Sequence, residues 1–304
     1  MLDQVAAAER PRLLGIAYRM TGSYSDAEDI VQDTMLRIHR AAPSDIESPA
    51  AYLTTVTTRL SIDHLRSARV RRESYVGPWL PEPIVADPAP DAASRAVVHD
   101  SISIAFLLML ETLSPDERAV LVLHDVFAYT HGEIAAMLER SEGSCRLVLH
   151  RAHQRLQAGR SRVDRVDPAK HDEVVRRFVA ACDGGDFEAF FTTLVSDIEL
   201  VFDGGPDVKT AARHPIRGAD RVARFLAYVM TRLSTTRRVQ PSTLNGGPAV
   251  LIYAEHSDLI GAVFVEPADD GRAAIIRWVR NPSKLHGLRS LSASPPTPEA
   301  DNRA

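Results

Sequence analysis

The residues from Thr130 to Leu156 constrain this chain most, because they read as two helices joined by a tight turn. On the second helix, three- and four-residue spacing places a basic set on one side. That set is Arg146, His150, Arg151 and Arg155. Leu149, Ala152 and Leu156 fall behind it, where they can pack against the first helix. A helix with such faces can enter the major groove of DNA, so the pattern predicts a nucleic-acid-binding helix-turn-helix.

Charge is unevenly distributed along the 304 residues, and the net charge of −4 hides two basic stretches. Residues 59–72 hold five arginines and one aspartate, and residues 143–165 hold six arginines and one aspartate. Two separate basic stretches predict two separate contacts with phosphate groups. The chain is 45% hydrophobic, which is typical of a globular protein with two or three domains.

Cysteine usage and hydropathy exclude several classes of protein. Cys145 and Cys182 are the only cysteines and lack CxxC spacing, so neither a disulfide framework nor a zinc site is indicated. We expect no metal and no cofactor. The longest apolar run, near residues 102–110, is far shorter than the roughly 20 residues that span a bilayer. The N-terminus lacks the basic-then-apolar pattern of a signal peptide. We therefore expect a cytoplasmic protein with no membrane partner.

Periodicity and composition divide the chain into five segments. Residues 1–72 are helix-rich, and residues 73–100 form an acidic, proline-rich linker that we expect to be extended and to hold its neighbours apart. Residues 101–165 contain the helix-turn-helix. Residues 168–289 alternate helices with strand-like runs and predict an α+β domain with a curved antiparallel sheet. Residues 290–304 are Ser/Pro-rich and predict a disordered tail.

The two helical segments resemble an extracytoplasmic-function sigma factor of bacterial RNA polymerase. Residues 26–34 resemble the region 2 helix that docks on the polymerase β′ clamp helices, and residues 52–66 resemble the promoter-melting helix. Residues 113–115, 132–135 and 150–152 resemble region 4, which reads the minus-thirty-five element. This resemblance implies two all-α domains, region 2 and region 4, that bind the polymerase core (β and β′ subunits) and promoter DNA.

The third domain resembles a SnoaL-like fold, which is cone-shaped and related to nuclear transport factor 2. The sigma-factor branch that carries this domain has two motifs that occur here, Trp79-Leu80-Pro81-Glu82-Pro83 and Asn281-Pro282-Ser283-Lys284-Leu285. Its third motif, Asp-Gly-Gly-Gly-Lys, is altered here to the loop from Asp203 to Lys209. We expect the tryptophan motif to pack on this loop, so that the third domain tunes sigma activity and a separate anti-sigma factor is not required.

The resemblance and the charge pattern together predict three sets of site residues and no catalytic residue. The expected DNA contacts are Arg59, Arg66, Arg69, Arg71, Arg72, Arg146, His150, Arg151 and Arg155. The expected polymerase contacts are the acidic-face residues Asp26, Asp29, Gln32 and Asp33, because such a face would repel phosphates and suits a basic partner. The expected interdomain residues are Trp79, Leu80, Pro81, Glu82, Pro83, Asp203, Gly204, Gly205, Lys209, Asn281, Pro282, Lys284 and Leu285.

Several finer expectations accompany these sets. By resemblance, the loop at residues 41–50 holds a flipped base of the minus-ten element. Leu147 and Val148 occupy DNA-reading positions where relatives often have a polar or basic residue, so the recognised promoter can differ. Arg59 stands where relatives commonly have Asn, which predicts tighter backbone contact near the melted strand.

An alternative function class stays open at this point. The chain could be a DNA-binding regulator whose SnoaL-like domain is a ligand sensor or a small-molecule enzyme, since relatives of that fold include isomerases, cyclases and epoxide hydrolases. Asp203, His214, His256 and Asp258 are the candidate acid/base groups for such a pocket. Groups of this kind are more often turn or surface residues, which favours the sigma-factor interpretation.

Overall fold

The computed structural model describes residues 2–40, 48–73, 75–85, 102–159, 167–184, 187–233, 237–254 and 258–288. Three expected features lie outside these ranges, namely most of the base-holding loop, the second half of the linker and the C-terminal tail. The side chains of Arg69, Arg71 and Arg72 are also outside the description, although their backbone is helical. Within the described ranges, no helix is long and apolar enough to cross a membrane.

The first helical unit is a bundle of three helices. They are α1 (Leu2–Thr21), α2 (Tyr24–Arg40) and α3 (Pro49–Glu73). Helix α3 opens on a proline, whose missing N–H costs nothing at that position. Helix α2 begins at Tyr24, directly after Ser23. The Ser23 hydroxyl accepts a hydrogen bond from the backbone N–H of Asp26 at 3.2 Å.

The second helical unit contains the predicted helix-turn-helix. Its elements are α4 (Ile104–Leu110), α5 (Pro115–Leu121), a π-helical turn (Val122–Val126), α6 (His131–Leu138) and α7 (Glu142–Gly159). Capping boxes start α5 and α6, with Ser114 paired to Glu117 and Thr130 paired to Glu133. Helix α6 ends at Glu139, whose φ of 54° reverses the chain before α7.

The two helical units lie in contact and share one apolar core. That core joins residues of α1 to α3 with residues of α4 to α7. The Arg118 guanidinium donates from the second unit to the Met20 carbonyl at 2.7 Å, and Arg59 donates to the Met137 carbonyl at 3.0 Å. The expectation that the linker holds these units apart is therefore wrong for this structure, since burying apolar side chains favours direct packing.

The C-terminal unit is an α+β domain, as expected. Three helices, α8 (Pro168–Gly184), α9 (Phe187–Phe191) and α10 (Ala219–Arg232), accompany six strands. The strands are β1 (Leu194–Asp203), β2 (Ile216–Arg217), β3 (Arg238–Leu244), β4 (Gly247–Tyr253), β5 (Leu259–Pro267) and β6 (Ala273–Val279), in the order β2-β1-β6-β5-β4-β3.

One pair of strands corrects the expectation of a wholly antiparallel sheet. Strand β1 runs parallel to β6, while the other neighbours are antiparallel. Parallel neighbours need a long crossover, and here α10 and the β3–β5 meander separate β1 from β6 in the chain. The pairing brings the ends of β1 and β6 together, so Asp203 lies opposite Val279.

The sheet has two covered faces, and each packs against a different part of the chain. The helices of the C-terminal unit cover one face, around Phe178, Leu226 and Trp278. The other face packs against Leu80 of the linker and Ile104 of α4. The sheet is therefore the surface on which the linker and the second helical unit meet the C-terminal unit.

Candidate functional site

Helix α7 turns a basic face to solvent because its apolar side is fixed in the core. Cys145, Leu149 and Ala152 are buried there. Val148 is also buried, with 3% of its surface exposed, so the expectation that it reads DNA is wrong. Leu147 is 56% exposed and stays available for such contact.

The basic side chains of α7 are held to different degrees by neighbouring groups. Arg146 pairs with the carboxylate of Glu142 at 2.8 Å. The ring Nε2 of His150 lies 3.0 Å from the side-chain amide nitrogen of Gln154. Arg155 reaches back to Glu117 at 2.6 Å. Arg151 is exposed and makes no ion pair within the described part of the chain. The face is therefore cationic on balance and open to an anionic partner.

The basic residues of α3 point toward the second helical unit as well as toward solvent. Besides its bond to Met137, Arg59 pairs with Glu139 at 2.9 Å. Arg66 is 3.6 Å from both Asp63 and Asp116. Arg59 thus contacts protein where the sequence predicts a phosphate contact, and a phosphate at this position would compete with Glu139 for the guanidinium.

Helix α2 carries the predicted acidic face. Asp29, Gln32 and Asp33 are exposed, while Asp26 lies 3.3 Å from the ring of His64 on α3. Leu36, which is 45% exposed, extends the same face by one turn. Sequence reasoning missed Leu36, although its spacing of three residues from Asp33 follows the helical period. Helix α2 thus presents carboxylates around an apolar side chain, which suits a basic protein surface.

The linker is joined to the C-terminal unit by a buried carboxylate. Asp203 accepts a hydrogen bond from the Tyr75 hydroxyl at 2.6 Å and one from the backbone N–H of Leu80 at 2.9 Å. The Lys284 ammonium lies 2.6 Å from the same carboxylate and also donates to the Leu80 carbonyl at 2.6 Å. Asn281 completes the group by donating to the Tyr75 hydroxyl at 2.8 Å. We call this network the clamp.

Aromatic rings cover the charged centre of the clamp. The Lys284 ammonium lies 4.3 Å from the ring centroid of Trp79 and 5.2 Å from that of Tyr75. Such cation–π contacts replace water around the ammonium group. Burial, followed by the charge of Asp203, raises the pKa of the Tyr75 hydroxyl well above its usual range. Tyr75 therefore remains a hydrogen-bond donor to Asp203.

The other side of the linker is bound to the first helical unit through Glu82. This carboxylate is buried and accepts hydrogen bonds from the backbone N–H groups of Tyr24 and Ser25, at 2.9 and 3.1 Å, and from the Ser23 hydroxyl. It therefore occupies the positive N-terminus of α2. Burial raises the pKa of Glu82, and the bonds from Ser25, Ser23 and Tyr24 oppose that rise. An acidic group of the linker therefore binds within the protein itself.

Asn245 joins all three units at one point. Its amide donates to the Tyr18 hydroxyl of the first unit at 2.7 Å and to the Ile102 carbonyl at 2.8 Å. Its oxygen accepts from the backbone N–H of Ile84 in the linker at 3.1 Å. Asn245 sits in the tight turn between β3 and β4, with a φ of 52°. Sequence reasoning missed it, although Asn-Gly is a strong hairpin signal.

The altered glycine loop keeps the residues that contact the clamp. A Cβ on Gly204 would lie 2.4 Å from Ala211, and one on Gly205, where φ is +62°, would lie 2.7 Å from the amide of Asn281. Pro206, Asp207 and Lys209 are exposed, and no described residue hydrogen-bonds to Lys209. The departure from the family motif therefore falls in an exposed turn, outside the clamp.

Comparison with known proteins places the chain in a family. Residues 5–71 match the family described as Sigma-70 region 2, and residues 103–156 match Sigma-70, region 4. The chain is 35% identical over 301 residues to the ECF RNA polymerase sigma factor SigJ of Mycobacterium tuberculosis, covering 95% of both chains. The chain belongs to the extracytoplasmic-function (ECF) family of RNA polymerase sigma factors. Sigma factors act in transcription initiation and are not enzymes.

One further relative and one solved structure support the assignment of this sigma factor along nearly its whole length. It is 32% identical over 293 residues to the probable ECF RNA polymerase sigma factor SigI of M. tuberculosis, covering 95% of this chain and 97% of the relative. The crystal structure of M. tuberculosis SigJ matches with a TM-score of 0.69 and 32% identity, covering 94% of this chain and 99% of that one. The C-terminal α+β unit thus belongs to the shared architecture.

Three of the four candidate acid/base residues of this sigma factor lie within the described ranges, and they differ in burial. Asp203 is fully buried and bound by the clamp. His214 and Asp258 are exposed, and His256 lies outside the described residues. Asp203 therefore serves as a hydrogen-bond acceptor between domains, and no geometry in the described ranges favours an acid/base role for it.

Proposed function

We propose that this sigma factor binds the polymerase core through the exposed face of α2 and reads promoter DNA through α3 and α7. The support for the first contact is the carboxylate face around Leu36 on α2, which suits a basic surface on the β and β′ subunits. The support for the second is the exposed basic face of α7 within a helix-turn-helix. The protein then acts in the cytoplasm, where RNA polymerase works.

The finer proposal is that the C-terminal domain regulates this activity by holding the linker. The observation that carries it is the clamp, in which Leu80 and Lys284 share the buried carboxylate of Asp203. Because Glu82 of the same linker binds the start of α2, the C-terminal domain acts on region 2 through the three residues from Leu80 to Glu82. Asn245 adds a direct link to Tyr18. Regulation is then built into the chain, and a separate anti-sigma factor is not required.

The closed arrangement is the low-activity state in this proposal. Arg59 of the melting helix is hydrogen-bonded to region 4 in that state, so DNA must compete with Met137 and Glu139 for its guanidinium. Weakening the clamp shifts the population toward separated domains, by a factor that grows exponentially with the free energy that the clamp contributes to the closed state. Activity then rises.

Promoter-dependent transcription with purified polymerase core tests this proposal. Three forms are compared with the wild type: Asp203→Asn, a truncation after Arg165, and Lys209→Ala. Lys209→Ala is the matched control, because it changes the same loop outside the clamp. We expect Asp203→Asn to raise transcript yield and Lys209→Ala to leave it unchanged. Equal yields from all forms would remove the regulatory role, and no transcript from any form would remove the assignment of polymerase binding.

A further inference from the structure

Leu147 is an apolar side chain in the middle of a cationic surface. It has the largest exposed fraction, 56%, of the large hydrophobic side chains in the described ranges. Arg146 precedes it, and His150 and Arg151 follow one turn later, all exposed. An exposed leucine at this position does not stabilise the folded state by burial, because the neighbouring Val148 and Leu149 already fill the core.

The space beside Leu147 is open on the side of α7 that would enter the major groove of DNA. In a helix, a side chain leans toward the preceding turn, which here brings Leu147 over Gly143. A Cβ added to Gly143 would meet no atom within 4 Å. Gly143 and Leu147 both lie in the first two turns of α7, and helix-turn-helix proteins use these turns to contact base edges. A base edge can therefore approach the leucine without displacing another side chain.

The chemistry of the major groove limits what a leucine can read there. Guanine, cytosine and adenine present hydrogen-bond donors and acceptors, whereas thymine also presents its C5-methyl group. A leucine makes no hydrogen bond, so thymine is the base whose edge it can match. The basic residues around Leu147 suit phosphates on both sides of the groove, which argues for DNA over an apolar protein surface.

We infer that Leu147 determines specificity by contacting the methyl group of one thymine in the minus-thirty-five element. This inference rests on the proposed function of α7 and deepens it by naming the base. Arg151 and its neighbours supply affinity for the backbone, and Leu147 supplies discrimination at one position.

The test uses the holoenzyme, because the closed free chain holds Arg59 against region 4. Polymerase core is combined with the full chain, and promoters are selected from a library with a randomised minus-thirty-five region. Each thymine of the selected element is then replaced, one at a time, by deoxyuridine, which lacks only the methyl group. We expect one replacement to weaken binding about fourfold, the effect of removing one buried methyl-sized group.

Variants assign the loss to Leu147. We expect Leu147→Ala to bind the thymine and deoxyuridine promoters equally, and Leu147→Met to retain a preference for thymine. Tyr228→Ala removes another exposed hydrophobic side chain, 47% exposed and on α10, and should keep the full preference.

Two failures are distinguishable. If the wild type selects an element but no thymine is sensitive to deoxyuridine, or if Leu147→Ala keeps the sensitivity, the inference is overturned while the sigma-factor function stands. If no element is selected by any form, the proposed reading of DNA by α7 fails, and the inference fails with it.

Discussion

Asp203 is the residue on which the interdomain contact depends most. Its carboxylate is fully buried, so its charge is balanced by Lys284 and by the donors of Tyr75 and Leu80 rather than by water. Removing one member of a buried ion pair leaves the other charge uncompensated, which costs more than the pair gains.

The first prediction is that Asp203→Asn lowers the free energy of unfolding by about 3–5 kcal/mol. Chemical denaturation of the full chain, followed by tryptophan fluorescence, measures the change. Trp79 reports on the clamp and Trp278 on the C-terminal core. The double variant with Lys284→Met should deviate from additivity by about 0.5–3 kcal/mol. Additive effects would mean that the two groups do not interact.

A second prediction concerns Gly22, which ends α1 with a φ of +68°. A Cβ there would lie 2.7 Å from the ring of Trp79. Gly22→Ala should therefore destabilise the chain by about 1–2 kcal/mol from backbone strain alone, with a further loss from displacing the ring. Its fluorescence spectrum should shift as Trp79 moves. Gly287→Ala is the control, because no atom lies within 4 Å of its Cβ position.

Helix α8 makes the stability of the folded chain depend on pH through His171. Burial lowers the pKa of His171, although the charge of Asp172 and a hydrogen bond to the Val265 backbone oppose the shift. The unfolded chain therefore takes up a proton at a higher pH than the folded chain. The stabilisation that comes from a neutral His171 is complete above the usual histidine pKa of about 6.5, and it is lost as the pH falls from there toward the lower folded value.

The third prediction is that the stability of the full chain falls between about pH 7.5 and about pH 5.5, and that His171→Gln reduces this slope. Denaturation curves at each pH measure it. His286 is exposed, and His286→Gln should keep the wild-type slope. A slope that is equal in both variants and the wild type would show that His171 does not contribute.

Helix α2 gives a fourth prediction. Reversing charge with Asp29→Lys and Asp33→Lys should slow association with the polymerase core and reverse its dependence on salt, because these carboxylates are exposed. Surface-binding kinetics measure both quantities. Glu28→Gln is the control on the same helix, since Glu28 faces Arg10 of α1 at 3.7 Å. Unchanged kinetics in the aspartate variants would place the polymerase contact elsewhere.

The sequence predicted those elements whose signals are local. The two helices of the helix-turn-helix, the turn before α7 and the basic face of α7 all follow from spacing within about 30 residues. The sheet was predicted as strands, but the parallel pairing of β1 with β6 was not. Strand pairing between distant segments depends on tertiary packing, which alternation within one strand does not report.

The interdomain residues also divide into those that a sequence motif predicts and those that depend on contacts between distant segments. The family motif pointed to Trp79, Asp203 and Lys284, whose contacts the structure places within one network. Tyr75 and Asn245 were missed, because their partners are 128 and 227 residues away in the chain. The acidic linker was predicted to be an extended spacer, because prolines and carboxylates disfavour a place in a hydrophobic core. Its carboxylate Glu82 instead satisfies backbone donors of α2.

At the scale of the whole molecule, two kinds of contact hold the closed arrangement. The helical units share an apolar core, and the C-terminal unit fixes the linker between them. The first contact is non-directional, whereas the clamp and Asn245 set a defined geometry through hydrogen bonds. In the proposed function, control by the C-terminal unit depends on these polar contacts, and we expect substitutions in them to weaken the contact while the apolar core stays intact.

The distance between the two helical units reports directly on whether the C-terminal unit controls the domain arrangement. Spin labels placed on the exposed Ser67→Cys of α3 and Gln157→Cys of α7 report this distance, while the natural Cys145 and Cys182 are buried. We expect one narrow short-distance population for the otherwise unchanged chain and for Lys209→Ala. A longer, broader population should appear with Asp203→Asn combined with Asn245→Ala. The same narrow population in all forms would contradict control of the domain arrangement by the C-terminal unit.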